Sequence, residues 1–330
     1  MAEIVLGVAT SHGPMLSTPP DRWGLRAEAD RRNRQHAFRG KTLDFEALLR
    51  ERGRAFEKEI GPSIWRSRHE QCQRALDALA KKIGDAAPDA AVLVGNDQRE
   101  IFGEELTPAI TLYRGARIEN VPSTPEERER MGPGIAIAEA GHCPPEGATY
   151  DGAPELAEHL IRCLVADEFD VAQASSFGGR GIPHAYGFVY RRLFSDAPPP
   201  SVPLILNVGY PFNRPTARRC LALGRALARA LSAWSGADRV ALIASGGLTH
   251  FVIDEELDRT ILEAIASGDD EALARIPEDR FQSGTAESKN WLPVAAAMNA
   301  CGRPFRIVDY VPCYRSEAGT GNAMGFGYWE

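Results

Sequence analysis

The 330-residue sequence lacks any apolar run of the length that crosses a bilayer, which is about 18 residues or more. It also lacks the basic start and long apolar core of an export signal, so we expect a cytoplasmic protein without a membrane partner. It has no excess of basic residues, since 38 Lys and Arg face 45 Asp and Glu, and the formal charge is -7. A nucleic acid partner is therefore not expected. The six cysteines form no CxxC pair, and we expect reduced thiols.

The short motifs of several enzyme classes are missing as well. The sequence has no GxxxxGK[ST] phosphate loop, no GxSxG nucleophile turn, no HExxH zinc motif and no Cys/His cluster. A glycine-rich stretch at 319–325 superficially resembles a dinucleotide-binding loop. Too few residues follow it for the helix that a pyrophosphate needs, so we interpret it as a turn.

What the sequence does have is an apolar periodicity that alternates between two and 3.6 residues, which is typical of α/β proteins. Strands are predicted over 3–9, 90–95, 109–113, 170–174, 202–207, 239–244 and 305–311. Helices are predicted over 64–83, 154–166, 217–234, 255–266 and 286–300. Two long segments without such patterning, at about 19–61 and 115–152, are predicted to be insertions that form a lid or a contact between subunits. We therefore predict a single three-layer α/β domain over 1–330, built around a mixed, mostly parallel sheet.

Polar residues follow four of the predicted strands. They are Ser11-His12, Asn96-Asp97-Gln98, Asn207 with Tyr210, and the stretch from Ser245 to His250. Open α/β sheets bind ligands outside the carboxyl ends of their strands, so these residues predict a pocket at that edge. Each has a structural alternative when taken alone, because a histidine after a strand is often only a hydrogen-bonded loop residue. Asn96-Asp97, in the same way, can simply cap a helix.

Five motifs occur in a fixed order: Ser11-His12-Gly13-Pro14-Met15, Asn96-Asp97-Gln98, Pro183-His184-Ala185-Tyr186-Gly187, Ser245-Gly246-Gly247-Leu248-Thr249-His250, and Glu287 with Trp291. The set resembles the class III, LigB-type extradiol ring-cleavage dioxygenases over nearly the whole chain. The segments at 1–7, 23–30 and 96–100 are most similar to 3-O-methylgallate 3,4-dioxygenases. The resemblance implies a LigB-like fold and cleavage of a catecholic or methoxylated trihydroxybenzoate with O₂. Substrates of the 3-O-methylgallate, gallate or protocatechuate type, in the catabolism of lignin-derived aromatic compounds, are implied.

The resemblance also implies a mononuclear Fe(II) site and a role for each matching residue. His12 matches the family's first histidine ligand, and Glu287 matches its carboxylate ligand. His250 matches the histidine proposed as acid and base, a role that suits imidazole near neutral pH. His184 matches a pocket histidine that contacts substrate or bound oxygen.

The sequence departs from the family at one ligand, since Gln98 stands where the second histidine ligand is expected. Gln98 is one candidate for the third ligand, because an amide oxygen can bind iron, although more weakly than imidazole. Another histidine can replace it, and His36 is the candidate that we consider. Alternatively, metal binding is lost or altered, and the protein is a binding protein or a different enzyme on the same scaffold.

The resemblance raises the question of what covers the site, because a small separate subunit does so in two-subunit relatives. The insertion at 19–61 is predicted to supply the cover here, so that no small subunit is needed. A homodimer is also expected. Asn207 and Tyr210 are predicted to contact the substrate. The arginines of this insertion are candidates to pair with a substrate carboxylate, which guanidinium binds in a bidentate manner. They are Arg31, Arg32, Arg34 and Arg39, and the alternative for them is a solvated surface.

Overall fold

Near-continuous apolar runs form the centre of the sheet in the computed structural model, which describes residues 1–132 and 134–330. The strands are β1 (Glu3–Thr10), β2 (His36–Phe38), β3 (Lys41–Leu43), β4 (Ala90–Asn96), β5 (Ile110–Tyr113), β6 (Arg117–Asn120), β7 (Ala148–Asp151), β8 (Ala172–Ala174), β9 (Ser201–Leu206), β10 (Arg239–Ser245), β11 (His250–Val252), β12 (Phe305–Tyr314) and β13 (Thr320–Trp329). Nine of them form one sheet in the order β11-β13-β1-β10-β4-β9-β5-β8, and β12 pairs with β13 outside this path.

The helices connect these strands. They are α1 (Trp23–Arg32), α2 (Phe45–Arg52), α3 (Pro62–Ala86), α4 (Pro125–Arg130), α5 (Pro154–Ala166), α6 (His184–Arg192), α7 (Ala217–Ala233), α8 (Glu255–Ser267), α9 (Asp270–Arg275) and α10 (Trp291–Ala300). The cap of α7 shows why the helix begins there, since the Thr216 hydroxyl accepts a hydrogen bond from the Arg219 amide at 3.2 Å. A 3-10 segment, Ser283–Asn290, precedes α10, and its residues 286–290 were predicted as α-helix.

The strands at the centre of the sheet are parallel, and antiparallel strands flank them. Strands β1, β10, β4 and β9 pair in parallel. Strand β13 is antiparallel to β1, and β5 is antiparallel to β9. This mixed sheet confirms the predicted fold class.

Side chains of the central strands point alternately into two apolar cores. Val92 and Leu242 belong to a core with Leu227 of α7, whereas Leu93 and Ile243 belong to a second core with Leu76 of α3. Strands that are covered on both faces carry apolar residues at every position, which explains their continuous apolar runs. Helices therefore cover both faces of the sheet, and the three-layer prediction is confirmed.

The prediction of a turn at 319–325 was wrong for 320–325, because these residues belong to β13. Strand β13 pairs with β1 on one side and with β11 and β12 on the other. Its glycines admit neighbouring side chains, since a Cβ on Gly325 would lie 2.7 Å from Leu248 Cδ1 and one on Gly327 would lie 2.3 Å from Phe305 Cζ. A strand built in this way lacks the β-branched pattern by which strands are predicted.

Both predicted insertions contain regular structure. The segment at 19–61 holds α1, the β2–β3 hairpin and α2, and the segment at 115–152 holds the β6–β7 pair and α4. The cysteines are free thiols, as predicted, and four of them are buried. None of the helices in the described ranges is both long and apolar enough to cross a membrane.

Candidate active site

A cavity of about 870 Å³ opens at the carboxyl ends of β1, β4 and β10. The residues that follow these three strands line it, among them His12, Gln98 and Gly247. Parallel strands direct their carboxyl ends to one edge of the sheet, which brings together residues that are far apart in sequence. Glu287 reaches the same point from the 3-10 segment before α10.

His12 is a buried neutral imidazole whose tautomer is set by its neighbour. Its Nδ1 lies 2.9 Å from Ser245 Oγ, and the Ser245 hydroxyl donates its hydrogen to the carbonyl oxygen of Ala185 at 2.6 Å. Because a hydroxyl has a single hydrogen, Nδ1 of His12 is the donor to Ser245. Nε2 therefore carries a bare lone pair, and it is buried without a hydrogen-bond partner. Burial lowers the pKa of His12 and outweighs the Glu287 carboxylate, which acts in the opposite direction.

Glu287 is a buried carboxylate that several donors surround. Its Oε2 accepts from the Gly247 amide at 3.3 Å, and its Oε1 accepts from Asn96 Nδ2 at 3.4 Å and from the side-chain amide of Gln98. Nε2 of His12 lies 3.3 Å from Oε2. Although burial alone would raise the pKa of Glu287, the charge of His250 is the largest of the effects that hold it well below the usual range. The carboxylate is therefore ionised.

His250 faces Glu287 from the opposite side. Its Nδ1 donates to the Leu248 carbonyl oxygen at 2.8 Å, which turns Nε2 toward Glu287 Oε2 at 3.5 Å. Burial lowers the pKa of His250, but the Glu287 carboxylate overcomes this effect and raises it. Two glycines make room for the ring, because a Cβ on Gly284 would lie 2.4 Å from Nε2 and one on Gly247 would lie 2.7 Å from Nδ1.

His184 occupies the cavity beside His12, with their ring centroids 4.9 Å apart and edge to face. Glu100 holds it, since both carboxylate oxygens lie 3.0 Å from Nδ1 and Oε1 also accepts from the His184 amide at 2.9 Å. Burial opposes this pair, yet Glu100 raises the pKa of His184 to about 9 and His184 lowers that of Glu100 to about 2. His142 stacks edge-on against His184 at 5.7 Å, and burial lowers the pKa of His142 to about 4.

The donor set fits a metal ion in part. His12 presents an unprotonated, buried Nε2, and Glu287 presents an ionised oxygen beside it. Over the ranges 1–132 and 134–330, no three His, Cys, Asp or Glu side chains form a group able to hold a metal ion. A third donor is therefore of another type, and Gln98 is the amide in contact with Glu287. Rotating that amide by half a turn exchanges its nitrogen and its oxygen, which places a ligating atom at the same point.

Residues 66–314 match the family model described as the catalytic LigB subunit of aromatic ring-opening dioxygenase. The chain belongs to the LigB family. The matched range contains Gln98, His184, His250 and Glu287, whereas His12 precedes it.

Two individual proteins are similar to this LigB-family chain. The gallate dioxygenase of Pseudomonas putida is 34% identical over 122 residues, which are 36% of this chain. The aligned part covers only 35% of that relative's length. A crystal structure of an uncharacterized protein from Escherichia coli K12 covers 76% of this chain and 91% of its own, with 16% identity and a TM-score of 0.45.

Other predicted residues of this LigB-family protein lie elsewhere. Asn207 closes its own turn, because its Oδ1 accepts from the Tyr210 amide at 2.8 Å and its Nδ2 donates to the Tyr210 carbonyl at 2.9 Å. Tyr210 packs its ring against the Arg99 guanidinium at 4.6 Å. Neither Asn207 nor Tyr210 lines the cavity as the structure describes it. Strand β9 is next to β4 on the side away from β10, so its carboxyl end lies one strand farther from His12 than that of β4.

The predicted residues of the first insertion are also displaced from the cavity. Arg34 is exposed and does not line the described cavity, so the structure does not bring it to a substrate. His36 is buried in the insertion, with Nε2 on the carbonyl oxygen of Asp30 at 2.9 Å, and it does not reach Glu287. Arg31 pairs with Glu317, and Arg39 pairs with Asp254.

The segment at 115–152, predicted as a lid or a subunit contact, lines the cavity, but Arg26 and Arg315 were not singled out from the sequence. The segment at 115–152 forms most of one wall, including Asn120, Met131 and His142. Among the described residues, the segment at 19–61 contributes Arg26 to the lining. Arg315 lines the cavity from the loop between β12 and β13. The spacing of α1 contains a signal for Arg26, because Trp23, Ala27 and Asp30 are its buried positions and Arg26 lies beside that stripe.

Proposed function

We propose that this LigB-family protein is an Fe(II)-dependent extradiol dioxygenase. Its substrate is a catecholic or methoxylated trihydroxybenzoate of the 3-O-methylgallate, gallate or protocatechuate type, whose ring it opens beside the hydroxyl groups with O₂. One observation carries the proposal: a buried imidazole lone pair of His12 lies beside an ionised Glu287 on the floor of a cavity large enough for an aromatic acid. The similarity to a gallate dioxygenase supports the same class of substrate.

In this proposal His12, Glu287 and Gln98 hold the iron. Fe(II) held by these residues would supply the redox-active Lewis acid for the reaction of the diol with O₂. Ser245 holds His12 in the tautomer that exposes Nε2, and the Gly247 and Asn96 donors keep Glu287 in place. Such outer partners orient metal ligands and raise metal affinity.

The histidines around this cluster have separate tasks. Since Nδ1 of His250 is committed to the Leu248 carbonyl, Nε2 is the atom that exchanges a proton with the substrate during ring opening. Glu100 fixes Nδ1 of His184, so that the remaining ring nitrogen of His184 orients the substrate. The wall formed by 115–152 limits the access of water.

The proposal includes a homodimer whose active sites need no separate small subunit. The cover of each site then comes from the chain's own segment at 115–152, which supplies most of one wall. Equilibrium sedimentation of the purified chain, together with activity without added subunits, tests this part.

The test of the function is anaerobic reconstitution with Fe(II), followed by metal quantification and O₂ uptake on adding 3-O-methylgallate, gallate or protocatechuate. About one iron per chain and O₂ uptake with one of these acids is the expected result. The metal content is read before any substrate is added, so it is independent of turnover. A chain that binds no iron and consumes no O₂ contradicts the proposal and leaves the cavity as a ligand-binding site without oxygenase chemistry.

A further inference from the structure

The cavity has a second polar region, formed by the two arginines Arg26 and Arg315. Arg315 is only 1% exposed, and its guanidinium makes a bidentate pair with Asp30, from Nε at 2.5 Å and from Nη2 at 2.8 Å. Thr320 also donates to Asp30, at 2.5 Å. Both carboxylate oxygens of Asp30 are thus engaged by the β12–β13 side of the structure.

Arg26 adds a second guanidinium to this region. Its side chain lies against the cavity wall, because a Cβ on Gly132 would be 3.4 Å from Arg26 Nη1 and one on Gly134 would be 3.3 Å from Arg26 Cδ. Burial lowers the pKa of Arg26, the charge of Arg315 lowers it further, and Asp30 partly offsets both effects. Arg26 therefore brings a second guanidinium to the part of the cavity that Arg315 lines.

A short chain of contacts connects Arg315 with His250. Asn322 pairs with His250 between β13 and β11, and its Oδ1 accepts from Arg315 Nη1 at 3.0 Å. Arg26 lines the same cavity as Arg315 and His250.

An aromatic acid with two adjacent hydroxyl groups has the same arrangement of chemistry. Its diol lies on one side of the ring and its carboxylate on the other. When the diol is held beside His12 and Glu287, the carboxylate needs a cation elsewhere in the cavity. A guanidinium is suited to this, since it offers a planar pair of donors to the two carboxylate oxygens.

We propose that Arg26, with Arg315 behind it, forms the subsite for the carboxylate of the substrate. The identity of the ring rests on the proposed function, whereas the acid-binding site is a property of the cavity. This assignment replaces the predicted role of Arg34 with a residue on the same insertion that does line the cavity.

The test compares two ligands that share a diol and differ in one group, protocatechuate with its carboxylate and catechol without it. Binding to the full Fe(II)-loaded chain is measured anaerobically by calorimetry, so that no turnover is needed. Arg26→Gln is expected to weaken protocatechuate binding about 10- to 100-fold, the usual effect of losing a hydrogen bond to a charged group. Catechol binding is expected to stay within about threefold, and Arg26→Lys is expected to lie between Arg26→Gln and the parent chain.

Two control variants separate this subsite from general charge effects. Arg22 lies four residues before Arg26, is exposed and pairs only loosely with Asp21 at 3.8 Å, so Arg22→Gln is expected to change neither ligand. Arg180 also lines the cavity and donates to the Ile101 carbonyl at 3.1 Å. An acid-specific loss in Arg180→Gln but not in Arg26→Gln would overturn the assignment.

The remaining outcomes also decide. Equal loss of both ligands in a folded Arg26→Gln chain, or a parent chain that does not prefer the acid, overturns the subsite. If the acid-specific loss is found while no variant and no parent chain consumes O₂, the subsite stands and the dioxygenase proposal fails. If acid binding is unchanged in Arg26→Gln and O₂ uptake is normal, the subsite fails and the dioxygenase proposal stands.

Discussion

Replacing Ser245 with alanine tests the link between the fold and metal binding. The Ser245 hydroxyl accepts the Nδ1 hydrogen of His12 and donates its own hydrogen to Ala185. Without it, the tautomer of His12 is no longer fixed. The hydrogen can then move to Nε2, which lies 3.3 Å from Glu287 Oε2 and gains an acceptor there. A metal ion would have to displace that hydrogen, so we expect Ser245→Ala to bind iron more weakly.

The magnitude follows from the environment of His12. Both His12 and Ser245 are buried, so the lost hydrogen bond costs about 1–3 kcal/mol of folding stability if Nδ1 stays protonated and unpaired. Loss of an outer partner of a metal ligand typically reduces metal affinity about 10- to 100-fold. That range corresponds to roughly 1.4–2.8 kcal/mol of binding free energy, in the same range as the lost hydrogen bond.

The assay is an anaerobic Fe(II) titration, with urea unfolding of the metal-free chain measured in parallel. Ser201 on β9 offers a matched control, because its hydroxyl is also buried in the sheet and lies 2.8 Å from the Tyr190 hydroxyl. We expect Ser201→Ala to lose a similar amount of stability without any change in the iron dissociation constant. If Ser245→Ala binds iron within about threefold of the parent chain, the tautomer argument is refuted.

Three further results are expected. Gln98→His places an imidazole where the amide lies and should raise Fe(II) affinity at least about tenfold in the same titration, because imidazole is the stronger ligand; unchanged affinity would show that Gln98 does not contact the metal. His250→Ala should lower kcat by about 10²–10⁴-fold in O₂ uptake while iron content stays at the parent level, since it removes an acid–base group and no ligand; full turnover would contradict the role of His250. Burial raises the pKa of Asp258 from its ordinary value of 3.8 to about 7. Between about pH 4 and 7 the folded chain therefore keeps a proton that the unfolded chain releases, and the free energy of unfolding falls as the pH rises through this range. Asp258→Asn should remove up to about 4 kcal/mol of that fall in urea unfolding, and parallel stability curves for the two chains would disprove it.

The sequence predicted the central layers well because burial imposes a simple pattern there. Strands β1, β4, β9 and β10 are apolar at almost every position, and α7 was predicted within one residue of its observed end. The sequence did not predict β13, because several of its positions are glycines that leave room for the side chains of Leu248 and Phe305. Its identity as a strand depends on distant partners, which no local window of the sequence contains.

The residues of the candidate site also differ in how well the sequence predicts them. His12 and Gln98 directly follow central strands, so topology alone places them at one edge, and they were predicted from that rule. Asn207 also follows a central strand, but its amide is used within its own turn. Whether such a side chain faces the cavity or closes a turn depends on contacts made after folding. Arg315 lies in a loop without a clear pattern and was not found, whereas the helical spacing around Arg26 was present in the sequence and was not used.

The position of Gln98 shows how one residue can serve two states of the site. Glu287 is buried and ionised, a state that costs stability unless donors surround it. An amide at position 98 donates to that carboxylate in the metal-free chain, and after half a turn it offers an oxygen to a cation beside the same carboxylate. A neutral histidine here would have to move the proton that it donates to Glu287 before the same ring nitrogen could bind a metal. In the proposed iron site, Gln98 is thus a weaker ligand than histidine, but its amide stabilises Glu287 in the metal-free chain.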